Sequence, residues 1–164
     1  MTAQASRLPP RLQPSAAGPG PDSEITWLLH RAAQRMNAAT AEQAKKHGLP
    51  LRDYIVLSAL HKTADLTQAE LGKTLGLDKT TLMSHLDRLE RDGLVVRRND
   101  PRDRRIRIPV ITDAGQALRS EVAQDCAAVE AEVLSGFADD QVQGLRQMLF
   151  AIIGDRADPG SAGS

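Results

Sequence analysis

Six arginines, at positions 97, 98, 102, 104, 105 and 107, fall in a short stretch interrupted by only two acids, Asp100 and Asp103. A local surplus of four positive charges suits a polyanion such as a phosphate backbone. The turn-forming Asn99-Asp100-Pro101 lies between two β-rich runs, 94–97 and 105–110, which predicts a hairpin with Arg102, Arg104 and Arg105 at its projecting tip. Such a loop can reach into a minor groove or span phosphates. Asp103 fits there if it orients a neighbouring arginine through a charge-assisted bond. A solvated charge cluster that blunts an edge hairpin, or one that meets an acidic protein partner, accounts for the same residues.

Just upstream, positions 79–92 have helical periodicity. Leu82, Leu86 and Leu89 fall on one stripe, which must anchor the helix. The rest of the surface carries Lys79, Thr80, Thr81, Ser84, His85 and Arg88: short polar groups near the N-terminus and longer cations further along. Short side chains let a backbone approach base edges, and a helix N-terminus favours phosphate. Taken alone, the same residues describe any solvated surface helix. Their place directly before a basic hairpin makes a nucleic-acid reading head the better account.

The preceding element supports that account. Thr67-Gln68-Ala69-Glu70 has the spacing of a capping box, and a short helix to Leu75 follows. Leu75-Gly76-Leu77 is a tight turn, Asp78 is placed to cap the next helix, and Gly93 to end it. Thr67 and Gln68 then join the surface that faces DNA. Helix, glycine turn, helix and hairpin together predict a winged helix-turn-helix within 51–111.

The flanking sequence is helical. Residues 22–47 repeat Ile25, Leu28, Leu29, Ala32, Ala33, Met36 and Ala39 at helical spacing, and 52–61 carry Tyr54, Ile55, Leu57 and Leu60. After Thr112 a long helix has the stripe Leu118, Val122, Cys126, Val129 and Val133. A last one has Val142, Leu145, Leu149, Ile152 and Ile153. Five of nine prolines precede Asp22, so residues 1–22 are expected to be a disordered tail and 155–164 a flexible one. The expected division is 23–50 for an N-terminal dimerisation helix, 51–111 for DNA binding and 112–154 for C-terminal dimerisation helices.

The 164-residue composition, 41% hydrophobic and 26% charged with only 2% aromatic, fits a globular, mostly helical chain with a small β-hairpin wing. Its zero net charge hides the basic hairpin, because the sequence after Ile108 is strongly acidic. No run suits a membrane helix and the N-terminus lacks a signal peptide's apolar region, so a cytoplasmic protein is expected. Phosphate loops, nucleophile elbows and catalytic triads are missing, and no enzyme, cofactor or metal is expected. His30, His47, His61 and His85 lack metal-ligand spacing with one another.

The ordered series Leu66-Thr67-Gln68-Ala69-Glu70-Leu71-Gly72, Leu77-Asp78-Lys79-Thr80-Thr81-Leu82, Leu86-Asp87-Arg88-Leu89-Glu90-Arg91-Asp92-Gly93-Leu94-Val95, Asp100-Pro101-Arg102-Asp103-Arg104-Arg105 and Ile111-Thr112-Asp113-Ala114-Gly115 resembles the MarR family of bacterial transcriptional regulators. The likeness runs from about residue 23 to 153. It implies an intertwined homodimer, double-stranded DNA as partner, the helix from Lys79 in the major groove, and Arg105 supported by Asp103 in the minor groove. Two-fold symmetry would then read a pseudo-palindromic operator. The resemblance also implies a repressor released by a small aromatic or phenolic effector, with Trp27, His30 and Tyr54 placed to line its pocket, although apolar packing is the better account of Trp27 and Tyr54; an activator would have the same sequence. Some relatives sense oxidants through a cysteine, which makes a redox-responsive regulator through Cys126 an alternative, but its place on an apolar stripe favours a buried structural residue.

Overall fold

Thr67 and Glu70 start the helix that organises the reading head. In the computed structural model, which describes residues 18–154, the Thr67 hydroxyl accepts from the Glu70 N–H at 3.2 Å while Glu70 accepts from the Thr67 N–H at 2.8 Å. This is the reciprocal capping box, and it opens α3, Gln68–Leu75. Gly76, at φ +62°, turns the chain through the left-handed region open to glycine at little cost. Asp78 then accepts from the Thr81 N–H at 2.9 Å and opens α4, Lys79–Arg91.

Around this pair lie α1 (Ile25–Lys46), α2 (Leu51–Lys62), the strands β1 (Val95–Asn99) and β2 (Arg107–Ile111), α5 (Asp113–Leu134) and α6 (Asp139–Ile153). The expected mostly helical winged helix-turn-helix is the observed architecture. The strands sit one to two residues later than expected, and the hairpin loop is residues 100–106 rather than a turn at Asn99. Of the expected tails, residues 1–17 and 155–164 lie outside the described residues.

Residues 24–130 make one compact unit. Leu82, Leu86 and Leu89 of α4 are buried as their spacing requires, joined by Leu71 of α3, Val56 and Leu57 of α2, Val95 of β1 and Val122 of α5. On α2 the buried stripe is Asp53, Val56, Leu57 and Leu60, whereas Ile55 is exposed. Belonging to the other unit, α6 buries no residue within the chain: Met148, Phe150, Ile152 and Ile153 are all exposed. Among the described residues no helix is long and apolar enough to cross a membrane.

The hairpin register follows from Pro109. Backbone bonds Thr112 N–H to Leu94 O (3.0 Å) and Asp100 N–H to Ile106 O (3.0 Å) mark hydrogen-bonded pairs at its two ends. Alternation then makes Arg97 opposite Pro109 a non-bonded pair, so the ladder loses nothing from the missing proline N–H. The same alternation turns Val95, Arg97, Pro109 and Ile111 to one face, of which Val95 and Pro109 are fully buried.

At its base the wing is joined to α5. Thr112 donates its hydroxyl to the Gly93 carbonyl (2.8 Å) and accepts from the Gly115 N–H (3.1 Å), capping the helix while holding the end of α4. A Cβ at Gly115 would overlap the Leu94 carbonyl oxygen and lie 2.9 Å from Ile111 Cγ1, so only glycine permits this approach. Gly115→Ala is expected to lower stability by about 1–3 kcal/mol, the usual cost of overpacking. Chemical denaturation with an unchanged midpoint would show that the joint relaxes freely.

Candidate nucleic-acid interface

On α4 Lys79, Thr80, Ser84, Asp87, Glu90 and Arg91 are exposed, and the Arg88 side chain is 38% exposed as well. Lys79, Thr80 and Ser84 therefore stand where the sequence puts them, open to a groove at the N-terminal half of the helix. Thr81 is half-buried, and its hydroxyl donates to Asp78 at 2.6 Å, so it completes the cap. Thr67 is likewise engaged in the α3 capping box. The Gln68 amide nitrogen is turned inward, buried and without a hydrogen-bond partner.

The expectation that His85 belongs to the exposed groove face needs correction, and Arg88, although 38% exposed, is engaged within the protein. Both side chains lean toward α2, where the Asp53 carboxylate is only 1% exposed. Arg88 donates Nε to one Asp53 oxygen (2.5 Å) and a terminal nitrogen to the other (2.9 Å). His85 Nδ1 lies 2.6 Å from the carboxylate. At that distance Nδ1 must carry the proton, so its 3.0 Å approach to Arg88 is proximity rather than a second bond. The cause is spacing: three residues apart, His85 and Arg88 share a side of α4 that meets Asp53 on the buried stripe of α2. The Arg88 guanidinium is held more firmly protonated than usual, chiefly by its hydrogen bond to Asp53.

Arg97 is also engaged within the protein. Facing inward, it donates Nε and a terminal nitrogen to Glu90 at 2.9 and 2.6 Å and reaches Asp87 at 2.5 Å. Its backbone N–H, free of the ladder opposite Pro109, goes to Glu90 as well (3.2 Å). The wing is thus tied to α4 by a cation that composition alone counts as part of the basic tip.

The tip itself is preformed by its acids. Asp100 accepts from the Arg102 backbone N–H at 2.7 Å and Asp103 from the Arg105 backbone N–H at 2.9 Å. Asp103 therefore supports Arg105 through the main chain, not through the guanidinium bond expected from sequence. Short acids bond the backbone two residues on more readily than they hold a long, mobile side chain. Arg102, Arg104 and Arg105 are left exposed, with no ion pair among the described residues.

A cleft of about 420 Å³ lies between α3, α4 and the wing, bordered by Gln68, Gly72, Leu77, Lys79, Met83 and Ile106. None of Trp27, His30 and Tyr54 lines it. Trp27 and His30 are exposed on α1, and Tyr54 packs against the core. Cys126 is buried, and desolvation pushes its thiol up, which disfavours the reactive thiolate. His47 faces Asp125 at 2.8 Å and Glu121 at 3.6 Å. Among the described residues no cluster of three His, Cys, Asp or Glu side chains is arranged to hold a metal ion.

A capped helix-turn-helix, an exposed polar helix start and an arginine-tipped wing define a winged-helix DNA-binding protein. The model of the MarR family matches residues 47–106. A MarR-family transcriptional regulator from Rhodococcus sp. RHA1 superposes with a TM-score of 0.74 at 31% identity, covering 79% of this chain and 91% of that one. CouR from Rhodococcus jostii RHA1, solved with p-coumaroyl-CoA, gives 0.73 at 27%, over 82% and 94%. A CouR repressor on a 23-mer DNA duplex gives 0.73 at 28%, over 80% and 93%. In sequence, the regulator MhqR of Bacillus subtilis is 29% identical over 74% of this chain and 84% of its own. The chain belongs to the MarR family of DNA-binding transcriptional regulators, which are not enzymes.

The Arg97–Glu90 link gives a pH signature. Hydrogen bonds from Arg97 hold the Glu90 carboxyl below its usual range. A group depressed on folding stabilises the fold above its unfolded value and loses that contribution as pH falls through the folded one. Glu90→Gln should cost roughly 0–1 kcal/mol near pH 7, the range for a pair with one solvent-exposed member. The difference from wild type should close at pH values below about 4. Thermal melts with an equal difference at pH 7 and pH 3 would contradict this account.

Proposed function

We propose that the chain acts as a homodimer on pseudo-palindromic operators and represses transcription until a small aromatic or phenolic ligand releases it. Residues 51–111 supply the reading head, and the helices within 23–50 and 112–154 the dimer. In this reading Lys79, Thr80 and Ser84 approach base edges and phosphates in the major groove, while Arg102, Arg104 and Arg105 reach the adjacent minor groove. The observation that carries it is the wing tip, where three exposed arginines stand unpaired because Asp100 and Asp103 bond main chain instead. Charges so placed meet phosphate without first breaking an internal pair.

Dimerisation is supported by the apolar surface of α6 and by Ile25 and Trp27 at the start of α1, all exposed in the single chain. Two reading heads related by a two-fold axis would contact half-sites about one helical turn apart. Likeness to a repressor solved on DNA, and to CouR with a ligand whose acyl group carries a phenol, supports operator binding and the effector class. Trp27, His30 and Tyr54 are the residues proposed to meet that ligand. Release then requires the ligand to bind better to a dimer whose reading helices are out of step with successive grooves.

Each phosphate contact steepens the dependence of affinity on salt by about 0.9 in log–log slope. Arg105→Ala removes one contact from each protomer, so it is expected to weaken operator binding and to flatten that slope by about 1.8, with the dimer intact. Titrations at several salt concentrations that match wild type would sink the wing assignment. For the effector, a phenolic panel is expected to contain a compound that lowers operator affinity of wild type and not of Trp27→Ala. Should no member of the panel shift affinity, the effector class is wrong.

A further inference from the structure

Apart from its links to Asp53 and Arg97, α4 is fastened to the body by Leu82, Leu86 and Leu89. Apolar contact is non-directional, so a leucine stripe fixes how close the helix lies far better than how it is rolled about its own axis. Side-chain tips stand some 5–6 Å from a helix axis, so a roll of about 10° moves them by about 1 Å. That is enough to carry a donor out of hydrogen-bond range of a base edge. Something directional must therefore hold the roll angle.

We infer that Asp53 is a positioning residue for DNA reading: without meeting DNA, it sets the roll of α4 through His85 and Arg88, and Arg88 is not a phosphate ligand. Three directional contacts converge on one carboxylate that is 1% exposed. Rolling α4 away would strand that charge where water cannot reach it, a strongly unfavourable state. Both Asp53 oxygens are occupied by groups from one side of α4, which gives the helix a defined angle that leucines cannot supply. The inference rests on α4 being the helix that enters the groove.

The test uses the full-length protein, the duplex recovered by wild type from a random DNA library, and an unrelated duplex of equal length. Wild type must discriminate between the two; if it does not, the DNA reading itself falls, and this inference with it. Asp53→Asn and Arg88→Gln are expected to lower affinity for the recovered duplex tenfold or more. Affinity for the unrelated duplex should change less than about threefold and the salt slope should stay as in wild type, because the wing contacts persist. Arg88→Gln flattening the slope by about 1.8, about 0.9 for each protomer, would make Arg88 a phosphate ligand and overturn the assignment.

Since Asp53→Asn alone can fail to fold, the set Asp53→Leu, His85→Leu and Arg88→Met, which leaves no partner of the carboxylate unpaired, provides a second arm. Apolar replacement of a whole buried pair commonly preserves stability. A purely structural role is rescued by that replacement, whereas a positioning role is not. A triple variant that melts like wild type yet discriminates poorly supports the inference, and one that discriminates like wild type overturns it.

Discussion

The carboxylate of Asp53 cannot turn to water, and the geometry of the reading head follows from where it finds its partners. Those partners lie on α4, the helix proposed to read DNA, so α2 and α4 are coupled by a directional bond set as well as by leucines. Replacing such a pair with hydrocarbon would often keep the fold equally stable. What the ionic arrangement adds is a preferred angle, and angle matters more than adhesion for an element that must meet base edges.

A similar division of labour sorts the cations. Arg88 and Arg97 carry full charges close to the face proposed to meet DNA, yet both are engaged with acids of the protein itself. Arg102, Arg104 and Arg105 are not. The difference comes from backbone periodicity: Arg97 shares the inward face of the hairpin with Val95 and Pro109, whereas the three loop arginines lie beyond the last paired residues. Asp100 and Asp103 would be liabilities beside phosphate if they paired with guanidinium groups. Bound to main-chain N–H groups, they stiffen the loop and leave the arginines uncommitted.

Much of this was readable in the chain. The capping box at Thr67 and Glu70, the cap at Asp78 and the leucines at 82, 86 and 89 are local patterns, and they appear in the structure as spaced. Arg97 was readable too, since alternation from Val95 turns it inward toward Asp87 and Glu90. Asp53 left a fainter signal: it precedes Val56, Leu57 and Leu60 by three, four and seven residues, placing an acid on an apolar stripe. Which cations answer it depends on how α2 crosses α4, and no single-helix pattern contains that. The reach of Asp103 to backbone rather than side chain depends likewise on the loop conformation.

Zero net charge gives these local arrangements their weight. A uniformly basic protein attracts DNA from a distance, but here the acidic sequence after Ile108 cancels the hairpin beyond a Debye length of about 8 Å at physiological salt. Attraction then acts only at close range, when the wing already lies near phosphate. At that range a loop that still had to order itself would surrender part of the binding energy to conformational entropy. The bonds from Asp100 and Asp103 set the loop beforehand, Arg97 fixes the wing to α4, and the Gly115 contact fixes its base to α5. Where net charge supplies no long-range pull, preorganisation of the loop, the wing and its base contributes to affinity beside the arginines they present.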